Sequence, residues 1–238
     1  MVHASRGVGK PFEVIGRWTN TSWATIAGQV YERIDPADVQ VLISDGEPGI
    51  AEAFLHKHMK HQRCSVHVWK DLRQFLYQDG VKKAGQTEIY GLLHRVPVFT
   101  YTNKQNMETL KAGDTAAVQQ QICASQKQLL ELQQVLKDKG YHKTATYIAN
   151  LSEPLVTFLN HWTATGEAAP STSNIAENRF SLIKNRIARI GRRWSEPGLK
   201  RWIDLAIHKL FPGYDWSKLW KNLLPLTGNL TCEIVAIQ

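Results

Sequence analysis

The run Val39-Gln40-Val41-Leu42-Ile43, halted by Ser44-Asp45-Gly46, constrains this chain more than any other segment. It is short, β-branched and almost wholly apolar, which is the pattern of a central strand buried on both faces. Helical patterns flank it. Upstream, Trp23, Ile26, Ala27, Val30 and Ile34 recur at helical spacing until Asp35-Pro36 ends them, and downstream Pro48 opens a helix that carries Ala51, Phe54 and Leu55 to about Met59. A second strand is expected around Cys64 to Val68, followed by a helix marked by Trp69, Leu72, Phe75 and Leu76. Phe12 to Gly16 reads as an earlier strand, and Met1 to Lys10 as an irregular leader. Strand, helix, strand, helix is an α/β core, in which chemistry belongs at the strand ends.

The middle of the chain has another period. Val118, Ile122, Ser125, Leu129, Leu132 and Leu136 alternate steps of four and three, which predicts one long helix from about Ala116 to Lys139, closed by Gly140. Leu155, Val156, Phe158, Leu159 and Trp162 predict another over Glu153 to Trp162. The reading is therefore a first core part over 1–79, an all-helical insertion over 80–168, a second core part over 169–210 and a tail over 211–238. Thr172-Ser173-Asn174 supplies N-caps for a basic helix.

With 43% hydrophobic residues in 238, the chain can bury a sizeable core. Lys and Arg number 29 against 21 Asp and Glu, a net charge of +8, which favours a polyanionic partner such as nucleic acid. Cys64, Cys123 and Cys232 are odd in number and irregularly spaced, which argues for a reducing compartment. No apolar run has membrane-spanning length, and Met1 to Lys10 lack the apolar stretch of a secretory signal, so an intracellular protein is expected.

Three acidic or thiol positions could carry chemistry. Asp45 ends the buried strand, where a carboxylate suits a hard divalent cation; Asp-Gly equally makes a turn that caps the next helix. Cys64 and His67 have the spacing of half a zinc site, with His56, His58 and His61 upstream, although no second pair stands at zinc-finger spacing. Glu177 leads a helix followed by Arg179, Lys184, Arg186, Arg189, Arg192 and Arg193, which reads either as a metal ligand beside a phosphate-binding face or as an acid favouring the helix dipole. Trp162, Trp194 and Trp202 are suited to stacking on bases or to filling a core.

Taken in order, these stretches resemble the Mutator-type transposases of insertion sequences, a branch of the DD(E) family with a ribonuclease-H-like fold. Val41-Leu42-Ile43-Ser44-Asp45-Gly46 is similar to the strand and turn that carry the family's second catalytic Asp. Gln62-Arg63-Cys64-Ser65-Val66-His67 resembles the Cys-x-x-His signature that follows it, and Thr172-Ser173-Asn174-Ile175-Ala176-Glu177 the Thr-x-Asn-x-x-Glu form that carries the catalytic Glu. Gly16 to Trp23 is similar to the segment that links the early strands to the first helix.

The resemblance implies an α/β, ribonuclease-H-like mixed sheet flanked by helices, with a helical insertion between the second Asp and the Glu. It implies metal-dependent cleavage and strand transfer of DNA, with Asp45 and Glu177 as catalytic residues holding two Mg2+ (or Mn2+) ions. Cys64, His67 and Asn174 would support the site without binding its ions, and Arg179, Lys184, Arg186, Arg189, Arg192 and Arg193 would contact DNA phosphates. The implied partners are transposon-end and target DNA and further copies of the chain, with no membrane, in a prokaryotic cytoplasm at the nucleoid. The family's first Asp lies on an opening strand upstream of the Trp18 segment, and Glu13, Asp35 and Asp38 are not substitutes for it. An N-terminally truncated copy is therefore expected. The alternatives are a non-catalytic DNA-binding remnant and a zinc-stabilised interaction protein built on His56, His58, His61, Cys64 and His67.

Overall fold

The computed structural model describes residues 2–5, 12–16, 21–100, 108, 113–174, 177–178, 181, 184–185 and 195–210. It is a mixed α/β structure, mostly helical, with a small two-stranded parallel sheet and a two-stranded antiparallel pair among the described residues. The chain divides into two compact units, Met1–Asn178 and Arg179–Gln238.

The first unit opens with β1 (Val2–Ser5) antiparallel to β2 (Phe12–Gly16), in a register that pairs Ser5 with Phe12 and Val2 with Gly16. The reading of Met1 to Lys10 as an irregular leader is thereby corrected, because Val2 to Ser5 pairs back on the expected strand. Helix α1 (Trp23–Tyr31) begins where Ser22 caps it by accepting a hydrogen bond from the Thr25 amide, and its buried Ile26, Ala27 and Val30 pack with Phe54 of α2 (Ile50–Phe54). Helix α2 is shorter than expected. Gly49 starts it at φ +85° and Leu55 ends it in extended backbone.

Strand β3 spans Val41–Ser44 and pairs in parallel with β4, Lys60–Arg63. Two expectations are corrected here. Val41, Leu42 and Ile43 are half-buried rather than buried on both faces, since β4 is the one neighbour β3 has among the described residues. The second strand lies before Cys64, not after it, and Ser65 already begins helix α3 (Ser65–Gln78). The Cys-x-x-His segment therefore sits at a helix N-terminus, which places Cys64 and His67 one turn apart.

From Lys83 to Thr165 the regular structure described is helical: α4 (Lys83–His94), α5 (Pro97–Thr100), α6 (Thr115–Asp138), α7 (His142–Ala149) and α8 (Thr157–Thr165). Val118, Ile122, Ser125, Leu129, Leu132 and Leu136 are all buried along α6, as their spacing predicts, and Gly140 follows at φ +76°. They meet Leu72 and Leu76 of α3, Ile89 and Leu93 of α4, Ile148 of α7 and Leu159 of α8 in one core. Each such leucine or isoleucine contributes about 1.5–3 kcal/mol by leaving water. Ser125 belongs to this apolar stripe because its hydroxyl accepts a hydrogen bond from the Val98 amide in α5, 2.9 Å away.

The helical part is fastened to β4 by polar contacts that also fix the site. Buried Gln62 donates to the carbonyls of Arg63 (2.6 Å) and Leu155 (3.3 Å) and accepts from the Phe158 amide (2.8 Å). The Thr157 hydroxyl donates to the His61 carbonyl at 2.8 Å, and the Arg63 amide donates to the Pro154 carbonyl at 2.9 Å. In this way the backbone of β4 finds partners on the side away from β3, where an open strand edge would otherwise stand. In the second unit, α9 spans Glu196–Leu210. No described helix is long and apolar enough to cross a membrane.

Candidate metal centre at the ends of the parallel strands

The β3–β4 ladder pairs Ser44 with Arg63, and one further bond, from the Cys64 amide to the Ser44 carbonyl (2.8 Å), brings Asp45 and Cys64 out at the same end of the strands. Asp45 leaves the strand in a tight turn in which its Oδ1 accepts from the Glu47 amide at 3.1 Å. Ser44 supports that turn: its hydroxyl accepts from the Gly46 amide (3.2 Å) and bonds His61 Nε2 (2.9 Å). Asp45 is therefore both a turn-maker and an exposed carboxylate at a strand end.

Cys64 is the N-cap of α3 and is fully buried. Three groups surround its sulfur: His67 Nδ1, the Ser173 amide and the Ser173 hydroxyl, each 3.3 Å from Sγ. Ser173 arrives from the far end of the unit because the Ser65 amide donates to the Ser171 carbonyl at 3.0 Å, which lays the segment before Glu177 against the start of α3. The Ser173 carbonyl accepts from the Glu177 amide at 3.0 Å, closing a first helical turn, and the Ser173 hydroxyl forms a short hydrogen bond with Glu177 Oε1. Glu177 Oε1 also lies 3.6 Å from His67 Nδ1.

The electrostatics follow from this crowding. Burial pushes the Cys64 thiol up, but hydrogen bonds from Ser173 and His67 outweigh it and leave the thiol below its ordinary range. Burial pulls His67 down, and the hydrogen bond and charge of Cys64, followed by the charges of Glu177 and Asp45, raise it above the usual imidazole value. One ring thus feels both carboxylates that the sequence singled out, although Asp45 and Glu177 are far apart along the chain.

Cys64 Sγ, His67 Nδ1 and a Glu177 carboxylate oxygen all lie within 4.8 Å of one another, the one such grouping of three His, Cys, Asp or Glu side chains among the described residues. Asp45 stands outside this group. Cys64 and His67, expected to support a site without joining it, are placed as donors beside Glu177. His56, His58 and His61 do not join them. The His56 ring packs edge-on to Tyr31 at 4.8 Å, His58 Nε2 bonds the Pro36 carbonyl at 2.9 Å and His61 bonds Ser44, so the five-residue zinc cluster is not formed.

Asn174 is exposed, with its amide 3.4 Å from the Thr172 hydroxyl. Lys184 is exposed in the second unit, while Arg179, Arg186, Arg189, Arg192, Arg193 and Trp194 lie outside the described residues. Trp162 packs half-buried against the helical core. Beside the cluster, Trp69 stacks on His94 at 4.2 Å and, with Lys70, Arg73 and Tyr90, lines an open cleft of about 500 Å³.

Sequence reasoning missed two participants. Ser173, read as a helix cap, is the group that joins Cys64 to Glu177; its position four residues before Glu177 was the available signal. Arg63, whose guanidinium packs on Gly46 and bonds Asp71 Oδ2 at 2.6 Å, gave no signal beyond its place in the Gln62 to His67 stretch. The chain matches no protein-family profile, no curated protein and no solved structure.

Proposed function

We propose that this chain is part of the catalytic core of a DNA transposase of the Mutator-type DD(E) branch, with a ribonuclease-H-like arrangement in which Asp45 and Glu177 hold divalent cations. The observation that carries this reading is that Asp45 leaves β3 at the end where Cys64 leaves β4, while Glu177 Oε1 lies 3.6 Å from His67 Nδ1 at the start of the helix that follows β4. The element order supports it: an antiparallel strand pair, a helix, a strand followed at once by Asp45, a helix, a parallel strand and a helical stretch that returns the chain to the same strand ends. So does the sequence of motifs that resembles the family.

The donors suit the ion. Two carboxylates offer hard oxygen ligands of the kind Mg2+ and Mn2+ take, and Asp45 and Glu177 are both exposed. Bound there, divalent cations supply activation of a water or a 3′ hydroxyl and offset charge on the leaving oxygen. The chain's own residues do the rest. The Asp45 turn and the Ser173–Glu177 turn fix where the two carboxylates stand, and His67 Nδ1 lies 3.6 Å from the Glu177 carboxylate. Lys70 and Arg73 in the neighbouring cleft, and the basic run that includes Lys184, attract DNA phosphates, while Trp69 offers an aromatic face. DNA is the partner this charge pattern favours, and a homo-oligomer on paired DNA ends is the assembly implied by the resemblance.

Mn2+ binding by the full chain, read by the loss of the free-ion electron paramagnetic resonance signal, tests the reading. Asp45→Asn and Glu177→Gln are each expected to weaken binding at least tenfold. Absence of binding in the unsubstituted chain, or indifference to both substitutions, overturns it.

A further inference from the structure

We infer that Cys64, His67 and Glu177 form a binding site for one zinc-class divalent cation, separate in its chemistry from a carboxylate site for Mg2+. The inference goes beyond the transposase reading and does not depend on it, since it needs Cys64 and His67 but not Asp45.

The first ground is the meeting of three ligand-type atoms. Cys64 Sγ, His67 Nδ1 and a Glu177 carboxylate oxygen lie within 4.8 Å of one another, with Nδ1 3.3 Å from Sγ and 3.6 Å from Oε1, so one cation can engage all three together.

The second ground is spacing. Tetrahedral zinc, with bonds of roughly 2.3 Å to sulfur and roughly 2.0–2.2 Å to nitrogen and oxygen, holds its ligand atoms about 3.3–3.6 Å apart. The sulfur–nitrogen and nitrogen–oxygen separations here are 3.3 and 3.6 Å. These positions are set by the fold: Cys64 caps α3 and His67 lies one turn on, so both donors face the same side, and Ser173 brings Glu177 opposite them.

The donor set selects the metal class. A thiolate and an imidazole favour zinc, cobalt and related ions, whereas Mg2+ and Ca2+ require oxygen. The Ser173 amide donating to Sγ at 3.3 Å is the kind of supporting hydrogen bond that steadies a metal-bound thiolate. Access is graded as well. Cys64 is buried, the His67 side chain is 19% exposed and the Glu177 side chain 47%, so the ion enters from the Glu177 side, where a fourth, water-filled position would face solvent.

Co2+ titration of the full chain tests this directly, because a cobalt–thiolate bond gives a near-ultraviolet charge-transfer band. The band is expected to saturate at one equivalent, to be displaced by Zn2+ and not by excess Mg2+, and to persist in Cys123→Ser. It should vanish in Cys64→Ser and require at least tenfold more cobalt in Glu177→Gln, at an exposed position. Absence of the band, its survival in Cys64→Ser, or an unchanged titration in Glu177→Gln overturns the proposal. Asp45→Asn separates the two readings: it should weaken Mn2+ binding at least tenfold and leave the cobalt band in place.

Discussion

The guanidinium of Arg63 occupies the space that a side chain at Gly46 would fill: a Cβ at position 46 would fall 0.7 Å from Arg63 Nη1. Gly46 also has φ +86°, in the left-handed region where an L-residue is strained. The turn that presents Asp45 therefore requires glycine for two separate reasons, and Arg63 can reach Asp71 at 2.6 Å because of it.

Gly46→Ala should consequently destabilise the fold by about 2–4 kcal/mol, the sum of backbone strain and a displaced, mostly buried ion pair. Urea unfolding measures this. In an Arg63→Ala background the steric part disappears, and the same substitution should cost only about 1–2 kcal/mol. Equal costs in both backgrounds would show that the guanidinium does not depend on the glycine.

Gln62 provides the second prediction. Helix α8 begins at Thr157 without a side-chain cap of its own, and the Phe158 amide instead donates to Gln62 Oε1, at 2.8 Å, from a strand far away in sequence. Gln62→Ala leaves that amide and the Leu155 carbonyl without this buried partner, at about 1–3 kcal/mol for each group. Gln62→Met keeps the volume and should recover the cavity part of the loss but not the polar part. Amide hydrogen exchange at Phe158 should accelerate in both variants, and unchanged protection would mean that Gln62 is not the cap.

Such remote caps explain which parts of the structure were legible in the sequence. The α6 stripe was legible because six residues at helical spacing are all buried on one side, a pattern set by local periodicity. The position of β4 was not. Gln62 and Arg63 are polar yet buried, because their partners come from residues 154–158 and from Asp71, and no local pattern encodes those. At the site, Asp45, Cys64, His67 and Glu177 could be named from motifs. The closeness of Cys64 and His67 to Glu177 could not, since it depends on Ser171 meeting Ser65 and on the two donors of Ser173.

DNA affinity gives a third prediction. A chain of net charge +8 that contacts phosphates releases counterions on binding, so log K should fall linearly with log salt concentration. Lys184 is exposed, and Lys184→Ala should reduce the magnitude of that slope by about 0.9 if the lysine neutralises one phosphate. Fluorescence anisotropy with duplex DNA at several salt concentrations measures it. A slope near zero for the unsubstituted chain would remove DNA as the partner, and an unchanged slope in the variant would remove Lys184 from the contact.

The last prediction concerns acid. Asp79 closes α3, and its carboxylate caps the start of α7, accepting from the Lys143 amide (3.2 Å), the Thr144 amide (2.8 Å) and the buried Thr144 hydroxyl (2.7 Å). Burial alone would raise the Asp79 carboxyl, but those donors together with the Lys143 charge hold it below the ordinary aspartate value. A carboxyl with a folded-state pKa below its unfolded one contributes stability that is complete above the unfolded value and is lost as pH falls through the folded one. Between about pH 7 and pH 5 Asp79 should therefore add a constant increment, of the order of 1–2 kcal/mol expected for a helix cap, and below about pH 4 that increment should shrink. Asp79→Ala should lower stability by this amount at neutral pH and by progressively less as the solution is acidified. Thermal melts of both proteins from pH 7 down to pH 3 provide the comparison, and a difference that stays constant or grows on acidification would show that the ionised Asp79 carboxylate is not what holds α7 to α3.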